Sequence, residues 1–176
     1  MADYKKKVYL DNIATMPVDA RVIEAMLPFF RDVFGNPVSI HQWGEQVDDA
    51  VETARAQVAG LLNARAEEII FTSGGTEANN LAIKGLVREH GHGRRHLITS
   101  LIEHFSVLHP FESLEKDGFE VTYLPVDRYG MVDPGDVAKH LREDTVLVSI
   151  MHANNEVGTI QPIDKIAGIV RESNAL

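Results

Sequence analysis

Two stretches near the start of the chain place apolar residues at the spacing of helical turns. The first follows Pro17, which the first turn of a helix tolerates, and its apolar positions are Val22, Ile23, Met26, Leu27 and Phe30. Residues 34–37 (Phe-Gly-Asn-Pro) end this helix, because glycine and proline interrupt helical structure. A second amphipathic helix is predicted over residues 46–62, with one side formed by Val47, Ala50, Val51, Ala54, Val58 and Leu61.

From residue 68 onwards, short apolar runs alternate with amphipathic stretches. We predict strands over residues 68–72, 96–100, 119–124 and 146–151. The intervening helices are predicted over residues 76–88 and 104–116, from Pro134 after the cap Asp133, and from Pro162 to about residues 171–173. Because short strands that alternate with helices form parallel sheets, the fold class is α/β: a layered, mostly parallel sheet with flanking helices.

The last two residues, Ala175 and Leu176, are apolar and follow a polar helix end. In an alternating pattern the next strand is expected here, and a sheet that stopped at this point would have an unpaired edge. We therefore expect the chain to be part of a larger folding unit. The alternative is a frayed tail.

Composition and charge exclude several classes of protein. The chain has 17 Lys plus Arg and 26 Asp plus Glu, a formal net charge of −9, which disfavours contact with nucleic acid or anionic lipid. No apolar run approaches the ~20 residues of a membrane-spanning helix, and none near the N-terminus is long enough for a signal peptide. The absence of cysteine excludes disulfides, thiolate zinc sites and a cysteine nucleophile supplied by this chain. We expect a cytoplasmic protein with no nucleic-acid or membrane partner.

Residues 72–77, Thr-Ser-Gly-Gly-Thr-Glu, join a predicted strand to a predicted helix and suit a phosphate. The two glycines allow a ligand to approach the backbone, and the first amides of the helix have no partner and carry partial positive charge. Thr76 can add a hydroxyl donor. The spacing matches neither the dinucleotide fingerprint nor the P-loop, so those two sites are disfavoured. The alternative is a capped turn with Ser73 or Thr76 as the cap.

Two further polar clusters follow predicted strands, at the edge where ligands of α/β sheets bind. His104 follows the strand that ends at Ser100 and can stack on a flat ligand or move a proton. Its alternative is a helix-start residue that faces solvent. Residues 152–158, His-Ala-Asn-Asn-Glu-Val-Gly, follow the most apolar strand, and their asparagines suit a phenolate oxygen or a carboxylate. Their alternative is an Asx turn.

Three histidines, His90, His92 and His96, lie close together in the sequence. Metal binding is one interpretation, but the intervening glycines and arginines favour a mobile, exposed turn. The chain has no His-Glu-x-x-His motif. We predict no metal site.

Five segments, taken together, resemble the cysteine desulfurase family, within the class V aminotransferase-like, fold-type I pyridoxal phosphate enzymes. The segments are YLDNIATMP (9–17), FGNPVS (34–39), FTSGGTEANNLAI (71–83), the Glu103-His104 pair and SIMHANNEVGTIQPI (149–163). They occur in the family's order and spacing and cover nearly the whole chain. The resemblance implies an incomplete fold-type I large domain: residues 1–16 belong with the small domain, and residues 17–176 form the N-terminal part of the cofactor-binding large domain.

The resemblance also implies roles for five residues. Gly75 and Thr76 match the positions that hold the phosphate of pyridoxal 5'-phosphate. His104 matches the catalytic histidine that stacks on the pyridine ring and helps to move protons. Asn155 matches the asparagine that bonds the phenolic oxygen and lies near the substrate carboxylate, and Asn36 matches a position near the substrate in some members. The implied reaction converts L-cysteine into L-alanine and a persulfide, for iron–sulfur cluster assembly or other sulfur transfer.

Several groups that this chemistry needs have no match in the chain. They are the lysine that forms the Schiff base, the aspartate that faces the pyridine nitrogen, the persulfide cysteine and the arginine for the substrate carboxylate. The lysines Lys84, Lys116, Lys139 and Lys165 lie outside matching contexts and are interpreted as surface residues. Because pyridoxal chemistry needs a lysine amine, we expect the chain alone to be inactive and to require a complementary C-terminal half.

A homodimer or two-chain assembly, and a sulfur acceptor or scaffold protein, are the partners that the resemblance implies. Two alternatives stay open. The chain is a non-catalytic scaffold or phosphate-binding fragment, or it is part of a selenocysteine lyase-type enzyme, whose distinguishing residues lie mostly beyond Leu176.

Overall fold

The computed structural model describes residues 8–176, which form two compact units that divide between Phe71 and Thr72. The first seven residues of the predicted segment 1–16 lie outside the described residues. The division of the chain between a small and a large domain at residue 17 stays a prediction. No helix within residues 8–176 combines the length and the apolar content that crossing a membrane requires.

The unit that precedes Thr72 contains the helices α1 (Ala20–Arg31) and α2 (Gln42–Leu62) and a 3₁₀ turn (Ala66–Glu68). The Asp19 carboxylate caps α1 by accepting a hydrogen bond from the Arg21 amide at 2.9 Å. The prediction that Pro17 lies in the first turn is therefore wrong, because the capping side chain sets the start. Helix α2 begins at Gln42 rather than at residue 46, because Nδ1 of His41 accepts a hydrogen bond from the Gly44 amide.

The predicted buried strand over residues 68–72 is wrong. Residues 68–72 form no strand, and Ile70 and Phe71 are 69% and 49% exposed. The Arg55 side chain from α2 accounts for part of this segment's conformation. Its Nη1 donates to the Ile69 carbonyl oxygen, and its guanidinium lies 4.9 Å from the centre of the Phe71 ring. An apolar run of this length predicts burial only if a neighbouring strand is available to pair with it.

The unit from Thr72 to Leu176 contains a three-stranded parallel sheet with two helices on each face. The strands are β1 (His96–Ser100), β2 (Glu120–Leu124) and β3 (Thr145–Ser149), in the spatial order β2-β1-β3. The helices are α3 (Gly75–His90), α4 (Phe105–Lys116), α5 (Pro134–His140) and α6 (Ile163–Arg171). The predicted layered, parallel α/β fold is confirmed, and β1 has the predicted bounds.

The core of this unit lies on both faces of the sheet. Because successive strand residues point to opposite faces, Leu97 and Ile98 of β1 belong to different hydrophobic clusters. One cluster joins Leu97 to α3 and α4, with Phe111 fully buried. The other joins Ile98 to α5 and α6 through Val137 and Ile166. Because both faces of the sheet are covered at β3, Val146, Leu147 and Val148 form an apolar run rather than an alternating pattern.

Strand β3 ends at Ser149, not at residue 151 as predicted. The Met151 amide leaves the sheet and donates to the Glu103 carboxylate at 2.8 Å. At the other side of β3, the Leu176 amide donates to the Val146 carbonyl at 3.0 Å, and the Val148 amide donates to the Leu176 carbonyl at 2.8 Å. These two bonds have the pattern found between neighbouring parallel strands. They agree with the prediction that a further strand starts at this residue.

His96 is the first residue of the central strand β1 and is buried. Its Nδ1 lies 2.8 Å from the Thr145 hydroxyl, and its Nε2 lies 2.8 Å from the Thr122 hydroxyl, so the imidazole bridges β2 and β3 across β1. Burial, together with the charge of Arg142, lowers the pKa of His96 below its ordinary value. The folded protein therefore favours the neutral imidazole more strongly than the unfolded chain does.

We expect part of the acid sensitivity of the fold to come from His96. The unfolded chain protonates the imidazole at its ordinary pKa of about 6.5, whereas the folded chain resists protonation, so lowering the pH through that range favours unfolding. His96→Gln should flatten the dependence of the urea midpoint on pH between about pH 5 and about pH 7.5. His90→Gln, at an exposed position, is the matched control and should keep the wild-type dependence. An unchanged slope in His96→Gln contradicts the prediction.

Candidate functional site

The predicted phosphate cradle lies at the N-terminus of α3. The helix begins at Gly75, and Gly74, at the N-cap position, has no side chain to bond the first amides of the helix. The first intrahelical bond comes from the Ala78 amide, so the amides of Gly75, Thr76 and Glu77 have no acceptor within the helix. At Gly74 and Gly75 the space that a Cβ atom would occupy is open. These donors, with the partial positive charge of the helix end, suit an anion.

The alternative in which Ser73 or Thr76 caps the helix is wrong. The Ser73 amide and hydroxyl instead donate to Oε2 of Glu77, at 2.7 and 2.6 Å. These bonds lower the pKa of the Glu77 carboxyl, which therefore stays ionised and faces back towards the loop. The Thr76 side chain is exposed and has a hydroxyl available for a ligand.

His104 caps α4 and is fixed by its neighbours. Its Nδ1 accepts a hydrogen bond from the Ser106 amide at 3.1 Å and lies 2.8 Å from the Ser106 hydroxyl. That hydroxyl accepts a bond from Nδ2 of Asn79, on α3, at 2.8 Å. Because Nδ1 is an acceptor, the proton of the neutral ring is on Nε2. The predicted helix start at residue 104 is thus one residue early, because His104 serves as the cap.

The structure brings Thr76 and His104 into one pocket of about 250 Å³, between α3 and α4. The other lining residues are Asn80, Lys84, Phe105, Ser106, His109 and Pro110. Lys84 is exposed, as interpreted from the sequence, but its place in this pocket was missed. The signal was available, because Thr76, Asn80 and Lys84 are spaced four apart and therefore share one face of α3.

Asn155 is exposed, and its Nδ2 donates to Oε1 of Glu156 at 3.1 Å. It does not line the pocket that contains Thr76 and His104. The Asx turn considered from the sequence is present, but the preceding residue forms it: Oδ1 of Asn154 accepts bonds from the amides of Glu156 and Val157 at 2.9 and 3.0 Å. Sequence reasoning therefore missed Asn154, which is 8% exposed.

Glu103, the residue before His104, is a buried carboxylate. Its Oε1 accepts from the Ser100 hydroxyl and from the Met151 amide, both at 2.8 Å. Burial raises the pKa of the Glu103 carboxyl, and the bonds from Met151 and Ser100 oppose this shift. A second pocket, of about 600 Å³, is lined by Ile102, Arg128, Tyr129, Gly130, Asn154, Glu156, Val157 and Thr159.

Asn36 belongs to the unit that precedes Thr72. Its Oδ1 accepts from the Val38 amide at 3.1 Å, which closes an Asx turn in the loop between α1 and α2. Gly35 and Gly44 hold this loop against the start of α2, because a Cβ atom at either position would lie within 2.5 Å of a backbone oxygen. The side chain of Asn36 is exposed, so its amide nitrogen is accessible to a ligand.

Residues 8–176 contain no cluster of three potential metal ligands, and the absence of a metal site stays a prediction. Of the three histidines considered, His96 is buried between two threonines, whereas His90 and His92 are exposed.

Comparison with known proteins places these features in a family. Residues 8–176 match the family described as Aminotransferase class-V. A curated relative, the cysteine desulfurase IscS of Dictyoglomus turgidum, is 55% identical over 168 residues, which make up 96% of this chain and 43% of that protein. The chain therefore spans less than half the length of this relative.

Two solved structures resemble the chain closely. A NifS-like protein superposes with a TM-score of 0.92 at 45% identity, covering 95% of this chain and 46% of its own. The protein SspA, solved in complex with cysteine, superposes with a TM-score of 0.89 at 43% identity, covering 93% of this chain and 47% of its own.

We expect Ser106→Ala to change the tautomer of His104. Removal of the hydroxyl takes away one of the two groups that face Nδ1 and frees Asn79, so the share of the neutral ring with its proton on Nε2 should fall. Long-range ¹H–¹⁵N correlation spectra of the imidazole measure this share. His109, an exposed histidine on the same helix, is the internal reference and should not change. Equal tautomer populations in variant and wild type would contradict the assigned hydrogen-bond chain.

Proposed function

Because the chain belongs to the class-V aminotransferase family, we propose that it is the N-terminal part of a pyridoxal phosphate-dependent cysteine desulfurase. The observation that carries the proposal is the single pocket in which an uncapped helix N-terminus with Thr76 lies beside His104. An anionic group with a flat ring attached fits this pair of features. The 55% identity to a cysteine desulfurase supports L-cysteine as the amino-acid substrate.

The phosphate would be held by α3. The amides at Gly75 and Thr76 and the Thr76 hydroxyl supply donors, and the absence of side chains at Gly74 and Gly75 leaves room for the phosphate oxygens. The negative charge of Glu77 is already engaged by Ser73, so it does not occupy the amides that the phosphate needs. Pyridoxal phosphate, when bound, supplies an electron sink that weakens bonds to the α and β carbons of an amino acid.

His104 is the proposed catalytic residue of the pocket and would stack on the pyridine ring of the cofactor. Its Nδ1 is occupied by Ser106, so only Nε2 is free to exchange a proton with a substrate. The same two bonds hold the imidazole at one angle, as stacking on a pyridine ring requires. The link through Ser106 to Asn79 fixes that angle with respect to α3, which carries the cradle.

Asn155 and Asn36 are the proposed contacts to cofactor and substrate. Both side chains are exposed and offer amide N–H groups, which suit the phenolic oxygen and the carboxylate of L-cysteine. In the proposed reaction the carbon–sulfur bond of L-cysteine breaks, L-alanine is released, and the sulfur passes to a thiol as a persulfide. The chain has no cysteine, so the accepting thiol must come from elsewhere.

We further propose that a complementary C-terminal half supplies the amine that carries the cofactor covalently. The chain covers 43% of the curated relative. Lys84 lines the pocket, but the sequence around it does not match the segment that carries the Schiff-base lysine in the family. We propose that the chain works in a homodimer or a two-chain assembly and passes sulfur to an acceptor or scaffold protein. We propose a cytoplasmic location. The chain alone should then be inactive.

We expect Thr76→Val to weaken the binding of pyridoxal phosphate by about 10- to 100-fold, because a hydrogen bond to a charged group contributes about 1.5–3 kcal/mol. The substitution keeps the shape of the side chain and removes the hydroxyl. Thr76→Ser keeps the hydroxyl and is the matched control, with an affinity close to that of the wild type. Equilibrium titration followed by cofactor absorbance gives both constants. Equal affinities of the two variants for pyridoxal phosphate would show that the Thr76 hydroxyl does not bind the phosphate.

The enzyme proposal is tested by supplying L-cysteine to the chain alone and to the chain with a complementary C-terminal half from a relative. We expect alanine and sulfide, after reduction, only from the pair. Alanine from the chain alone, at the rate of the pair, would contradict the proposed division of the site. A preference for selenocysteine over cysteine would favour the lyase alternative, and no cofactor binding under either condition would favour the scaffold.

Borohydride reduction followed by peptide mass spectrometry adds a second readout to the same experiment. It identifies the lysine that carries a pyridoxyl group. We expect the label on the C-terminal half and none on Lys84. A label on Lys84 would place the amine within this chain.

A further inference from the structure

Two loops follow adjacent strands at the carboxyl edge of the sheet. The β1–α4 loop (residues 101–104) carries His104, and the β3–α6 loop (residues 150–162) carries Asn155. The paired residues of β1 and β3 extend only as far as Thr99 and Ser149. Beyond that point the sheet cannot set the separation of the two loops, so any fixed separation must come from other contacts.

Side chains link the two loops in both directions. Glu103, on the β1–α4 loop, accepts a hydrogen bond from the Met151 amide at 2.8 Å. Asn154, on the β3–α6 loop, donates through Nδ2 to the Ile102 carbonyl at 3.0 Å. Each loop thus bonds the backbone of the other, through a residue directly next to a proposed site residue.

We propose that Glu103 and Asn154 are positioning residues that together hold the β1–α4 loop and the β3–α6 loop at one separation, and with them His104 and Asn155. The inference rests on the proposed function, since it concerns the placement of residues that contact the cofactor. Neither residue is a catalytic residue. Glu103 lines neither pocket, and every polar atom of the Asn154 side chain is engaged within the protein.

The burial of the Glu103 carboxylate indicates a structural role for this residue. Its side chain is 7% exposed, and burial raises its pKa, so an ionised carboxylate is costly at this position. A carboxylate oxygen can accept two bonds at once, and Oε1 does so, from the end of β1 at Ser100 and from the β3–α6 loop at Met151. An apolar side chain would pack there without such a cost but could not join these two backbone segments.

Asn154, on the β3–α6 loop, forms hydrogen bonds through both the oxygen and the nitrogen of its side-chain amide. Its oxygen accepts from Glu156 and Val157, which closes the turn that contains Asn155, and its nitrogen reaches the Ile102 carbonyl. Its backbone completes the arrangement, because the Asn154 amide donates to the Thr159 carbonyl at 2.9 Å. The Asn154 side chain therefore contributes both to the conformation of the turn and to the separation of the loops.

The test compares Glu103→Ala, Glu103→Gln and Asn154→Ala in the complete protein, meaning this chain together with its complementary half. Amide hydrogen exchange, measured without cofactor, reports on the loops directly. Glu103→Ala should speed the exchange of the Met151 amide by about tenfold or more, since this amide loses its acceptor. Glu103→Gln keeps an oxygen acceptor and should restore protection. Asn154→Ala should speed exchange at Glu156 and Val157.

A double-mutant cycle distinguishes positioning from general stabilisation. If Glu103 acts by placing Asn155, then Glu103→Ala should weaken pyridoxal phosphate binding by about tenfold in the wild-type background and much less in Asn155→Ala, where there is no side chain left to place. Val137→Ala, which removes buried side-chain volume on the opposite face of the sheet, is the control for lost stability. It should leave cofactor affinity unchanged.

Three results would overturn the inference: an unaltered Met151 amide in Glu103→Ala, failure of Glu103→Gln to restore protection, or additive effects of Glu103→Ala and Asn155→Ala on affinity. The failure of the proposed function is seen separately, as a wild-type complete protein that binds no pyridoxal phosphate. Exchange rates that follow the expected order, together with non-additive affinities, support the inference.

Discussion

Parallel pairing of β1 with both of its neighbours is the constraint on which the rest of the structure depends. Parallel strands end at the same edge, so the loops that follow β1 and β3 emerge side by side. The connecting helices return on both faces and cover β1 and most of β3, whereas β2 at the edge of the sheet is only partly buried. The proposed site residues Thr76, His104 and Asn155 lie outside this core, at helix starts and in loops after strand ends.

Much of this arrangement could be predicted from sequence because the buried strands have strong local signals. The bounds of β1 and the cap and first residue of α5 agree with prediction, since an apolar run between polar residues and an Asp-Pro pair are determined locally. Residues 68–72 show the limit. Their apolar run resembles that of β3, but a strand also needs a partner, and sequence does not reveal whether one is available.

The site shows the same division between local and long-range information. The uncapped start of α3 and the position of His104 at the start of α4 follow from short motifs. Asn154 and Lys84 were missed for different reasons. The role of Asn154 depends on Ile102, which lies 52 positions away in the chain. Lys84 has a readable spacing from Thr76, but α4 must pack beside α3 before that spacing defines a pocket.

The hydrogen-bond chain from Asn79 through Ser106 to His104 joins the beginnings of two helices. Asn79 lies within a turn of Thr76, so these hydrogen bonds connect the anion cradle to the imidazole. A molecule that has both an acidic group and an aromatic ring gains a chelate advantage from two connected binding points. Once one end is seated, the other faces its partner at a high effective concentration. Free phosphate or a free pyridine, each anchored at one point only, has no share in that gain.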